Sequence, residues 1–220
     1  MSKIENVVIA AAGFGSRLGR NLPKCMVQVG DKLILDYIIE AIYPNIKNII
    51  LVTGYKSEAV EKYCSIKYPF IKIIINNKFS ETNTAYSFSL GSADIKGKCL
   101  FLDGDLILSP NSVINFIEQS EKFDTLLGVT NNITENPVFV EIKDEKIISF
   151  TRNKNTGFEW ANIFCADSRI LDNAQNYVYE ELAKHHPLHY FEIILQEVDT
   201  EDDFLKALEF IHREKLHATP

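Results

Sequence analysis

The residues best able to do chemistry lie in VIAAAGFGSRLGRNLPKCM, residues 8–26. An apolar run ends in a loop that holds Gly13 and Gly15 and then delivers Arg17, Arg20 and Lys24. Small residues let backbone N–H groups come close to a ligand, and the cations supply counter-charge. That combination suits a polyphosphate. Two acidic groups stand further on: Leu102-Asp103-Gly104-Asp105, where an apolar run ends, and Val198-Asp199-Thr200-Glu201-Asp202-Asp203. The second also reads as a helix start, with Thr200 as cap and acids in the first turn.

Spacing excludes two common phosphate loops. A dinucleotide fingerprint needs a third glycine where Leu18 stands, and an acid closing the second strand where Thr53-Gly54-Tyr55 offers none. A P-loop fails at the same position.

The elements that must position these residues follow from apolar patterning. Short apolar runs at 4–12, 48–52, 71–75 and 99–102 read as buried strands. Helical spacing marks 33–42, with Asp31 as its cap, as well as 56–63 and 84–92. Strand and helix therefore alternate, and the strands are continuous apolar runs, as expected when both faces are covered. The fold class is α/β: a Rossmann-like α/β/α sandwich with a mixed, mainly parallel sheet. Ligands in such sheets bind beyond the carboxyl ends of the strands, so the basic loop, 82–85 and Asp103/Asp105 should converge there. Strands at 123–129, 138–142, 146–150 and 160–166, with Asp144 in a hairpin turn, read as a small antiparallel insertion in the second half. Helices near 168–184 and 201–214 close the chain, and 190–196 reads as helix-like. No linker or repeat divides the sequence, so 1–220 reads as one domain, with halves at 1–110 and 111–220.

The chain has 220 residues, 46% of them hydrophobic, and a formal net charge of −7. That acidity argues against nucleic acid as a partner. No apolar run approaches the ~18 residues that cross a bilayer, and MSKIENVV lacks a leader pattern. Cys25, Cys64, Cys99 and Cys165 form no CxxC pair, which argues for reduced thiols. The expected setting is the cytoplasm. Pro187 breaks helical spacing among His185, His186 and His189, so they read as solvated rather than as metal ligands.

Ala11-Ala12-Gly13-Phe14-Gly15-Ser16-Arg17-Leu18, followed by Pro23-Lys24-Cys25-Met26, closely resembles the signature of the small-molecule nucleotidyltransferases: sugar-1-phosphate nucleotidylyltransferases and choline-phosphate cytidylyltransferases. The resemblance implies that Ala11, Ala12, Gly13, Phe14, Gly15, Ser16 and Arg17 wrap a nucleoside triphosphate. Arg17 and Lys24 then become the catalytic cations, with Lys24 also meeting the acceptor phosphate. It further implies Mg²⁺, an oxygen-seeking ion, held by Asp105 and Asp199, with Asp103 beside the nucleotide. Asn83 and Thr84 fall where the family contacts the base, although Asn83 could equally cap a helix. Arg152 and Lys154 fall where the family turns a cation toward the co-substrate; a solvated loop is the other reading. Glu159, Trp160 and Tyr190 could hold a cationic head group, and Trp160 could equally be core. In the family a strand precedes the Asp199 element, whereas here 190–196 looks helical.

The implied reaction joins a nucleoside monophosphate, with CTP favoured as donor, to a phosphorylated small molecule. A sugar-1-phosphate nucleotidylyltransferase using UTP, GTP or TTP and a non-catalytic nucleotide-binding regulator are the alternatives. A homodimer is left open.

Overall fold

A computed structural model describes residues 3–43 and 45–217. β1 (Asn6–Ala11) leads through the basic loop to a hairpin of β2 (Gln28–Val29) and β3 (Lys32–Leu33), then α1 (Ile34–Ile42). β4 (Asn48–Thr53), α2 (Ser57–Lys67), β5 (Lys72–Ile75), α3 (Thr84–Ser92) and β6 (Lys98–Asp103) continue the alternation. β7 (Leu106–Leu108) and α4 (Pro110–Ser120) precede β8 (Leu126–Thr130), β9 (Phe139–Lys143), β10 (Lys146–Thr151) and β11 (Glu159–Asp167). α5 (Val178–Ala183), β12 (His189–Glu192), β13 (Leu195–Glu197) and α6 (Glu201–His217) complete the described chain.

The main sheet runs β10-β9-β11-β6-β1-β4-β5, and β8 joins it beside β11 with β12 at its far side. β1, β4, β5 and β6 are mutually parallel, while β11 pairs antiparallel with β6 and β8. This is the expected mixed sheet. Alternate residues of β1 serve its two faces. Val7 and Ile9 join the core under α1, α2, α4 and α6, and Val8 joins the core under α3 and α5. The second core is centred on Phe101 stacked on Phe164, with ring centroids 4.7 Å apart and Phe88 edge-on to both.

Local chemistry explains several boundaries. Asp144 and Glu145 both have positive φ and form the two-residue turn between β9 and β10, the backbone such hairpins require. The Thr200 hydroxyl accepts from the Asp203 N–H, and the Asp203 carboxylate accepts from the Thr200 N–H, a reciprocal box that starts α6.

Four expectations differ from the structure. Residues 190–196 are not helical. They form β12, which adds to the edge of β8, and β13, which pairs with β7; periodicity cannot separate helix from strand in so short an apolar run. Within 168–184 only α5 is helical. Asp31 does not cap α1: the Leu33 N–H is taken by Asp36, and Asp31 accepts from the Tyr37 hydroxyl. His186 and His189 are not a solvated cluster, since their rings stack on Phe150 and Phe123.

α3 lies against the sheet through Gly91, where an added Cβ would stand 2.4 Å from Val8 Cγ1 and 2.7 Å from Val52 Cγ2. Gly91→Val is expected to overpack this contact and lower the unfolding free energy by ~1–3 kcal/mol, measured by urea titration.

Candidate active site

The parallel strands end at one rim, and there the chain turns tightly. Gly104 N–H donates to the Ala10 carbonyl at 2.8 Å, and a Cβ at Gly104 would lie 2.7 Å from that of Ala11. Only glycine lets the turn after β6 cross so close to the end of β1. A short ladder then fixes the acids. β7 pairs with β13 through Leu106↔Glu197, and the Val198 N–H donates to the Asp105 carbonyl at 2.9 Å. Asp105 and Asp199 are thereby carried side by side, although 94 positions apart in sequence (199 minus 105).

Carboxylate oxygens of Asp105, Glu197 and Asp199 all lie within 4.8 Å of one another. Into this cluster the basic loop sends its cations. Lys24 Nζ donates to Asp105 Oδ2 at 2.7 Å and also to Asp199; Arg17 pairs with the other oxygen of Asp199. Gly15, at φ +61°, sits under Lys24, where a Cβ would strike Lys24 Cγ at 2.8 Å. Arg20 goes elsewhere, pairing with Glu201 and lying 3.9 Å over the Phe204 ring, so the loop is clamped to α6. Burial disfavours the Lys24 ammonium, but Asp105 and Asp199 outweigh it, and its pKa is raised overall. Burial, then the Asp105 charge, pushes the Asp103 and Glu197 carboxyls well above the usual carboxylate range.

A cleft of about 330 Å³ opens from this cluster. Ala11, Gly13, Gly15, Arg17, Lys24, Thr84, Asp103, Asp105 and Asp199 line it, as do Arg152, Glu159 and Trp160. Its far wall also takes Thr134, Glu135, Asn136, Asn162, Tyr177 and Tyr179.

Other expected site residues stand outside that lining. Ala12 is buried and its carbonyl accepts from Tyr55 N–H. Phe14 turns outward, its ring 5.4 Å from that of Tyr55 and 5.0 Å from that of Phe79. Ser16 opens a 3-10 turn (Ser16–Leu18). Asn83 caps α3: its Oδ1 accepts from Tyr86 N–H and its Nδ2 donates to the Asn176 carbonyl. Lys154 is exposed beside Glu141, and Tyr190 packs into the second core from β12. Glu159 lines the cleft, yet its carboxylate accepts from both the N–H and the hydroxyl of Thr134. Through these bonds it also holds the loop at Thr134 against the cleft wall. Trp160 is both core and lining: it is buried, and its indole N–H has no partner among the described residues.

Glu197 and Asn162 were missed by the sequence reading. Glu197 had a signal: Glu197-Val198-Asp199 alternates acid and apolar, which puts both acids on one face of an extended segment. Asn162 had none.

The three-acid cluster fits a hard divalent cation. Asp105 Oδ1 is buried without a hydrogen-bond partner among the described residues, and an all-oxygen donor set is what Mg²⁺ takes.

Residues 7–156 match the family model described as the MobA-like NTP transferase domain. The chain belongs to that family. A CTP:phosphoglutamine cytidylyltransferase of Campylobacter jejuni is 37% identical over 121 residues, 53% of this chain and 47% of that one. A choline-phosphate cytidylyltransferase of Haemophilus influenzae is 33% identical over 131 residues, 58% of this chain and 55% of that one. The chain spans about half the length of these two NTP transferase relatives. The solved inositol-1-phosphate CTP transferase from T. maritima shares the fold, with TM-score 0.81 and 18% identity over 97% of both chains. Among the described residues, no helix is long and apolar enough to cross a membrane.

The aromatic wall of the cleft depends on Glu181. Its carboxylate accepts from the N–H groups of Gln175 and Asn176 and pairs with Lys184, which holds the segment leading to Tyr177. The Lys184 contact, with the Asn176 and Gln175 bonds, draws its pKa from 4.5 to about 2. Glu181 therefore contributes stability in full above pH 4.5, and that contribution is lost as pH falls from 4.5 toward 2. Glu181→Gln should flatten this acid limb, read as melting temperature against pH; an unchanged limb would rule the contribution out.

Proposed function

We propose that this protein is a cytidylyltransferase. A phosphate oxygen of a phosphorylated small metabolite attacks the α-phosphorus of CTP in line; the bond from that phosphorus to the bridging oxygen breaks, and pyrophosphate leaves. No covalent enzyme intermediate is needed. The observation that carries the reading is the meeting of Arg17 and Lys24 with Asp105, Asp199 and Glu197 at the mouth of one cleft. Catalysis is then positioning and charge neutralisation. Asp105 and Asp199 would hold Mg²⁺, with Glu197 beside them; when bound, the ion neutralises charge developing on the α-phosphate. Arg17 and Lys24, now paired with carboxylates, have triphosphate and acceptor oxygens as their alternative partners. Gly13 and Gly15 leave backbone room for the triphosphate. Thr84 and Asp103 lie on the nucleotide side, and Arg152, Trp160, Tyr177 and Tyr179 form the acceptor side.

CTP is favoured because the relatives just described are cytidylyltransferases. The acceptor class is a phosphorylated head group, of the kind attached to surface glycans or lipids. We read the chain as one cytoplasmic transferase domain, with residues 1–110 serving the nucleotide and 111–220 the acceptor.

Magnesium-dependent pyrophosphate release is the test, run with CTP, UTP, GTP and TTP against a panel of phosphorylated metabolites. CTP should support turnover; turnover only with another triphosphate moves the protein to the sugar-1-phosphate branch, and none with any overturns the enzyme reading. Asp105→Asn should remove most turnover while the circular dichroism spectrum stays unchanged. Lys24→Ala should lose ~10²-fold or more in kcat/KM, the scale of one preorganised electrostatic contact. Near-wild-type rates in either variant would refute its role.

A further inference from the structure

β11 is irregular where it walls the cleft. Its pairing with β8 runs through Glu159↔Thr130 and Trp160↔Val129, then resumes at Phe164↔Leu127. Four steps along β11 are thus matched by two along β8, and the surplus forms a bulge. Asn162 stands in it with φ +53°, left-handed backbone in the middle of a strand. Asparagine tolerates that region better than most residues, but it is a strained choice for a strand interior. Bulges beside active sites re-aim side chains, and an observed backbone outlier is a reason to look for a role.

What the bulge aims is plain. Asn162 Nδ2 donates to Glu197 Oε2 at 3.0 Å, across 35 positions of sequence. Among the described residues it is the only hydrogen-bond donor to that carboxylate. The other two acids of the cluster are held by Lys24 and Arg17, whereas Glu197 is held by a neutral amide. An amide orients a carboxylate and leaves its charge available to a cation. Without that tether, no hydrogen bond among the described residues would fix the Glu197 carboxyl toward Asp105 and Asp199.

We propose that Asn162 is a positioning residue: from a left-handed bulge in β11, its amide holds Glu197 toward Asp105 and Asp199 and so sets the divalent-cation affinity of the cluster. This rests on reading the three acids as a cation site, as in the function proposed above.

The test is Mn²⁺ binding to the full chain, followed by the electron paramagnetic resonance signal of free Mn²⁺. Asn162→Gly removes the amide and keeps the left-handed backbone accessible. It should weaken Mn²⁺ binding by ~10-fold or more, the usual scale for losing an outer partner of a metal ligand. Introduced into a Glu197→Gln protein, the same change should alter affinity by less than about twofold, because the two residues act as one unit. Wild-type affinity in Asn162→Gly overturns the proposal, as does an equal loss in both backgrounds; a role confined to folding would lower the melting temperature and leave Mn²⁺ affinity in place. If Asp105→Asn binds Mn²⁺ as well as wild type, the cation reading itself falls, and this proposal with it.

Discussion

Lys24 is the tie on which the rim depends. It joins the loop after β1 to the turn after β6 and to the segment that follows β13, 81 and 175 positions away. Three carboxylates within 4.8 Å of one another would repel strongly if left alone. An ammonium between two of them, and a guanidinium on the outer edge of one, convert that repulsion into cohesion. Both cations come from a single loop, and Arg20 clamps that loop to α6. The sheet supplies the place, while the charge balance decides whether the three segments stay together.

The two ends of the cleft are built by different physics. The rim is a charged cluster made from strand ends at close range. The far wall consists of loops, and loops need their backbone N–H groups satisfied. Buried acids meet that need: Glu159 takes the N–H of Thr134, and Glu181 takes those of Gln175 and Asn176. Acids in this chain thus serve two separate ends, facing the cleft at the rim and scaffolding its wall.

Much of this was legible in the residues. The loop of 13–24 announced itself because glycines and cations together have no packing purpose. α3 was read at its observed limits, and Asp144 was placed in its turn, because local rules dominate there. What failed depended on partners distant in sequence. Residues 190–196 became strands because β8 and β7 offered edges to pair with, which no local pattern reveals. Asn83 was ambiguous between cap and base contact, and its amide is engaged at both ends by Tyr86 and Asn176. The bond of Glu159 to Thr134, 25 positions back in sequence, likewise had no local signal. Asn162 stayed invisible because nothing in Ala161-Asn162-Ile163 signals a left-handed residue inside a strand.

The alternation at the rim has a consequence for how such a chain can change length. Glu197 ends β13, and Asp199 follows it with the buried Val198 between them. Removing or adding one residue between Glu197 and Asp199 would swap inward for outward and drive a carboxylate into the apolar layer that Val198 fills. Segments such as 131–137 and 152–158 can lengthen or shorten by looping into solvent. The Glu197-Val198-Asp199 step admits no such change of length, because its two acids must share one side of the chain.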